Sequence, residues 1–251
     1  MTTNPPHDTV SRTPPPPGWG QDELSKFLDF TRHNQFATFH NKKVRYGELS
    51  TIDTSFYRVA TNIINPENTI SPVLFYRCHS AFRAACATAM SGQVAETFVL
   101  LRSCLEYAAY GFAIFKDPNL TMVWLNRHED EKAKKASVQD FQIKKIREMI
   151  DEVDRGLTPV FQKLYDRTID FGAHPNERAA SSNMAITEGG DRTYIVQQYA
   201  QGDSLQLEHG LKSTAQVGVC CLLLFQHAYQ AKFLILGVRD TLIDLRQNHA
   251  L

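Results

Sequence analysis

QVAETFVLLRSCLEYAAYGFAIF, running from Gln93 to Phe115, carries only three formal charges, Glu96, Arg102 and Glu106. Apolar residues cover almost its whole circumference, so it reads as a helix at the centre of a helical core rather than one lying on a surface. A charge in such a helix must be paired or hydrogen-bonded, because burying it alone is expensive. Arg102 and Glu106 stand at i and i+4 and meet on one face. The segment therefore predicts an all-α fold with a polar cluster inside it.

Working outward, Ser71-Pro72 is an N-cap followed by proline, opening a helix with the stripe Leu74, Cys78, Ala81, Phe82, Ala85 and Ala89. Gly92 stops it, so this helix and the central one should pack as an antiparallel hairpin. Upstream, Asp22 caps a helix bearing Leu24, Phe27 and Leu28. Ser50 to Asp53 has a capping-box-like spacing before Ile52, Phe56, Val59, Ala60 and Ile63, and Asn65-Pro66 ends that run. Downstream, Asp117-Pro118 restarts the chain into a helix with Leu120, Val123 and Trp124.

Ser137 to Asp140 opens the next helix, with Ile143, Ile146, Ile150 and Val153 on one side and Gly156 at its end. Thr158-Pro159 starts another, carrying Phe161, Leu164, Tyr165 and Thr168 as far as Gly172. Residues 173–203 are rich in Ser, Asn, Gly and Asp. There Met184–Thr187 and Thr193–Gln197 flank Glu-Gly-Gly-Asp, the pattern of a short β-hairpin. Asp203-Ser204 precedes a long helical region reaching Arg246. The expectation is a Pro-rich tail over 1–20 and a single all-α domain over 21–251, about eight helices with a short β-hairpin near 184–197.

Lys+Arg and Asp+Glu both number 27 and the pI is near 7.1. That balance argues against general nucleic-acid binding. The five cysteines form no Cys-x-x-Cys pair, and four lie in apolar helical stretches. They read as reduced thiols of a cytoplasmic protein. Met1 to Trp19 has no apolar leader core, and Val217 to Val238 is interrupted by Gln226, His227, Gln230 and Lys232, so no membrane span is expected. Metal-binding helix motifs and phosphate-cradling Gly-rich loops are absent from the sequence, so no metal or cofactor is expected. The basic cluster Lys132, Lys134, Lys135, Lys144, Lys145 and Arg147 interleaves with acids and reads as a solvated face.

A second chemical candidate is Tyr165 to Pro175. His174 follows a helix end and precedes a proline, with Asp170 four residues earlier to orient it and the helix terminus favouring its imidazolium. The sequence thus points to a pocket lined by Arg102, Glu106, Asp170 and His174 that binds a small anionic or polar ligand, or a protein partner. Arg102 is its anion anchor, because a planar guanidinium suits carboxylate or phosphate. Glu106 orients Arg102, and His174 is the titrating contact. A purely structural or homo-oligomeric adaptor using the Ile143/Ile146/Ile150 face is a further reading.

Two resemblances follow from these residues. Arg167 and His174 have six residues between them, which resembles the Arg…His motif of HEPN-type ribonucleases, metal-independent all-α enzymes. That resemblance implies RNA cleavage with Arg167 and His174 as the working pair, although Thr168 stands where such enzymes usually have Asn, Asp or His. The order Gly92, Leu101-Arg102-Ser103-Cys104-Leu105-Glu106, Asp117-Pro118, Trp124-Leu125 and His174-Pro175 resembles a bacterial family of helical proteins of unknown function, over roughly residues 72 to 180. That family implies the fold and supplies no activity. Its usual Ser or Cys four residues before the His is Asp170 here.

Overall fold

In the computed structural model, which describes residues 14–64, 69–181, 183–189, 192–249 and 251, the decisive segment is α4 (Val94–Lys116). Its buried face runs from Val94 through Phe98, Leu101, Leu105 and Phe112 to Ile114. By length and composition α4 is apolar enough to cross a membrane. Its surroundings are protein: α3 (Ile70–Met90) lies antiparallel against it and α10 (Leu205–Ala228) packs on both. Gly92 makes the α3–α4 turn at φ 81°, and a Cβ there would fall 2.1 Å from the Gln201 carbonyl oxygen. No other residue fits that corner.

Twelve α-helices are present among the described residues. α1 (Glu23–Asn41) is capped by Asp22, whose carboxylate accepts from the Ser25 amide, and α10 by Ser204, which accepts from the Leu207 amide. α2 (Lys43–Ala60) begins seven residues before the expected start at Ser50. Asp53 is consequently no cap. It holds the Arg83 guanidinium at 2.7 and 2.9 Å and His79 at 2.7 Å across the α2–α3 contact. Burial alone would raise its pKa, but these hydrogen bonds and charges outweigh that and hold it well below the usual carboxylate range.

The chain then passes through α5 (Leu120–Leu125), α6 (Glu131–Asp140), α7 (Ile143–Val153) and α8 (Leu157–Thr168). Ser137 lies inside α6, whose cap is Asp130, and α7 starts separately at Ile143. Ile146 and Ile150 are sealed in the core, so the face expected to serve an adaptor is already covered by this chain. After a short α9 (Glu177–Ser181) come β1 (Met184–Gly189) and β2 (Arg192–Gln197), antiparallel with Ile186 opposite Ile195.

The expected long C-terminal helical region divides into α10, α11 (Gln230–Ile235) and α12 (Val238–Asn248). The breaks fall at Tyr229 and at Gly237, which has φ 69°. These two divisions, that between α6 and α7, and the unexpected α9 together account for the four helices beyond the expected eight. Most of the Pro-rich tail, the Asn65-Pro66 stop and the Gly190-Asp191 turn lie outside the described residues. Of the tail's described end, Trp19 donates its indole N–H to Asp29 at 3.1 Å.

Candidate functional site

Two arginine centres sit on either side of α8. The first was legible in the sequence. Arg102 Nε donates to Glu106 Oε1 at 2.9 Å within α4. Tyr165 of α8 completes a triangle: its hydroxyl accepts from Arg102 Nη2 at 2.8 Å and donates to Glu106 Oε1 at 3.1 Å. The guanidinium carbon lies 4.8 Å from the Tyr165 ring centroid, adding a cation–π contact. Arg102 Nη1 is buried with no hydrogen-bond partner among the described residues. Burial, and then the Glu106 charge, push the Tyr165 phenol up to about 12. The charges of this centre are matched within the chain.

The second centre is Arg167. Leu157, Val160, Leu164 and Arg167 fall on one stripe of α8, and Ser213, Gln216, Cys220 and Leu223 on one stripe of α10, both with 3-4-3 spacing. The two stripes, apart from the fully buried Ser213, face each other across a cavity of about 310 Å³, lined also by Asp154, Lys163, Val219, Arg246 and Leu251. Arg167 Nη1 donates to Gln216 Oε1 at 2.7 Å and to the buried Ser213 Oγ at 3.1 Å. Both acceptors are neutral. Among the described residues no carboxylate pairs with Arg167, and burial lowers its pKa from the usual guanidinium value. Arginine still stays protonated, so a half-buried cation stands at this cavity with no carboxylate bonded to it.

The chain leaving α8 is a π-helical turn over Ile169–Ala173. The backbone kinks out of the helix at Gly172 and backs onto α4, where a Cβ would run into the Ala95 carbonyl oxygen. It also presses Phe171 against Phe98 and His209, at ring separations of 5.4 and 5.0 Å. His209, held between these rings, has its pKa lowered first by burial and then by the Arg167 charge, which favours the neutral imidazole.

The four residues expected to line one pocket are therefore not gathered into one. Arg102 and Glu106 are together. Asp170 bonds the Arg178 guanidinium at 3.4 Å rather than His174. His174 is exposed, in extended backbone just past the π-turn, and lines neither the cavity nor the groove outside it. Arg167 occupies the cavity, with His209 as its histidine neighbour.

Sequence reasoning missed His209, Ser213, Gln216 and Lys163. For the three on α10 a signal was present: polar residues at 209, 213 and 216, spaced i, i+4 and i+7 along one face of the helix. No cluster of three or more metal-binding side chains occurs among the described residues. Comparison of the chain with protein-family models, characterised proteins and solved structures finds no match. The site must be read from its own geometry.

Proposed function

We infer that the protein binds a small organic anion with an apolar body in the cavity between α8 and α10, with Arg167 as the anchor. One observation carries this reading: the half-buried Arg167 guanidinium hydrogen-bonds two neutral acceptors and no carboxylate, beside a partly open cavity of mixed polar and apolar lining. Holding a charge there without a counter-ion costs free energy that a bound carboxylate or phosphate repays. Lys163 and Arg246 add positive charge to the lining against the single carboxylate of Asp154, and Leu157, Leu164, Val219 and Leu223 supply the apolar part of the wall. The volume lies at the small end of the range for ligand sites.

Calorimetry with hexyl phosphate and hexanoate tests this. Both should bind, and Arg167→Gln should weaken hexyl phosphate about 10- to 100-fold, the equivalent of a charge-assisted hydrogen bond worth about 1.5–3 kcal/mol. Absence of binding, or equal affinity in the variant, overturns it. A carboxylate-free arginine also suits RNA phosphate, which is what favours the ribonuclease reading. That reading needs His174 beside Arg167. Cleavage of single-stranded RNA, lost in both Arg167→Ala and His174→Ala, would replace the binding reading with it.

A further inference from the structure

The first helix of the chain is joined to the bundle by its polar side. Thr31 and Thr38 of α1 are buried, and Asn34 between them donates to the Ser91 and Gln201 carbonyls at 2.7 and 2.9 Å. Phe27, which meets the Tyr199 ring at 6.0 Å, is the apolar exception there. Leu24, Leu28 and Phe39 fall within about 60° of one another on the other side, and Phe36 about 60° further round. Leu28 is 44% exposed, Phe39 51%, Phe36 62% and Leu24 67%. A surface helix normally turns its apolar side inward, and α1 does the reverse. Trp19, bonded to Asp29, and Tyr46, whose ring lies 4.6 Å from Phe39, extend the patch. Together the six side chains leave roughly 600 Å² of apolar surface in water, the upper end for a soluble monomer.

We propose that this face is the contact between two copies of the chain, α1 against α1 in antiparallel order about a two-fold axis near Thr31 and Arg32. The order of charge along one edge of the patch assigns the occupant. Asp22, Asp29, His33 and His40 lie on that edge, within about 40° of one another, acids first and histidines second. In an antiparallel pair like edges meet, which sets Asp22 opposite His40 and Asp29 opposite His33. The same register, to within one residue, sets Leu24 against Phe39. Arg32 lies near its own copy at the axis, but Asp29 holds it at 2.5 Å and compensates its charge.

Two such faces with their polar rims reach the about 800 Å² per partner of a standard interface. A lipid surface is met by a helix rich in Lys and Arg, whereas α1 sets Glu23 and Asp29 against Lys26 and Arg32. Residues 1–13 offer only Met1 and Val10 as large apolar side chains besides prolines, too little to cover the patch.

Sedimentation velocity over about 1–100 µM should show a reversible dimer. Phe39→Asp and Phe36→Asp should each raise its dissociation constant at least about 100-fold, because a two-fold contact meets every substitution twice, and should keep the helical circular dichroism of the parent. Non-reducing electrophoresis reads the order of the helices. Arg32→Cys should cross-link to its own copy, and Leu24→Cys, about 20 Å from its own copy, should not. A chain that stays monomeric at about 100 µM, or a dimer that survives both aspartate variants, overturns the proposal. Self-cross-linking at both positions overturns the antiparallel order. Capture of a monomeric parent by phosphatidylcholine–phosphatidylserine vesicles, lost in Phe39→Asp, would assign the face to a lipid surface instead.

Discussion

Arg102 and Arg167 lie on neighbouring helices, are both partly buried and are both hydrogen-bonded, yet their surroundings are electrically opposite. Arg102 faces Glu106 one turn away and the Tyr165 hydroxyl, so the chain itself balances its charge. Arg167 faces a serine and a glutamine, and the space beside it is a cavity. A partly buried cation with a carboxylate is completed by folding. On the reading proposed above, one with only neutral partners is completed by a ligand. The difference turns on what lies opposite each side chain, and only Arg102 carries its partner on its own helix.

The widest separation should come from giving the two positions the same substitution. Arg167→Gln should lose the 10- to 100-fold in hexyl phosphate affinity and keep its melting temperature, because removing an uncompensated buried charge relieves desolvation. Arg102→Gln should keep the affinity and lose about 1.5–3 kcal/mol of stability, or roughly 3–10 °C in melting temperature for a chain of this size. Glu106 is partly exposed, which holds the cost below that of a fully sealed pair. If both variants lose stability and neither loses affinity, the two arginines are alike and the comparison collapses.

A smaller effect sharpens the closed side of the comparison. Tyr165→Phe removes two hydrogen bonds while leaving the ring, and should cost about 1–2 kcal/mol. In a double-mutant cycle with Glu106→Gln the coupling should be at least about 0.5 kcal/mol. The phenol should titrate near 12 in an ultraviolet difference spectrum. Its folded value lies above an unfolded value of about 10. The stability it contributes is therefore fully present below pH 10 and is lost as pH rises through the folded value. Ionisation of Tyr165 at its ordinary pH would mean that the triangle with Arg102 and Glu106 does not form.

The smallest effect belongs to His209, on the open side. Its folded pKa lies below the usual value, so between the two the unfolded chain binds a proton that the folded chain does not. Stability should then rise with pH up to about 6.5 and fall as pH drops below it. His209→Gln should flatten the decline in melting temperature between pH 6.5 and 5 relative to the parent. Parallel curves would show that His209 takes up its proton freely in the folded protein.

Much of the fold was legible because its signals are local. The apolar circumference of α4, the Asp22 and Ser204 caps and the Gly92 corner each declare themselves within a few residues. Capping spacings misled where a tertiary partner competed for the same side chain. Asp53 reads as part of a helix start, but α2 is already under way from Lys43 and the Asp53 carboxylate is taken by Arg83 and His79 of α3. The hairpin strands emerged with the expected residues because alternation and turn chemistry are short-range as well.

The candidate site divides along the same line. The Arg102–Glu106 pair is a fact of helical periodicity, and the sequence determined it. Tyr165, 59 residues beyond Glu106, joined only when α8 packed on α4. The sequence also determined that Arg167 ends an apolar stripe, and that 209, 213 and 216 are polar positions on one face of α10. Only the tertiary structure decided that these stripes oppose each other across an open space, and that His174 falls outside it. Periodicity fixes which side of a helix a residue occupies. Whether the neighbour on that side brings a counter-charge, a ring or a void is settled by packing between segments far apart in the chain, where no local pattern can record it.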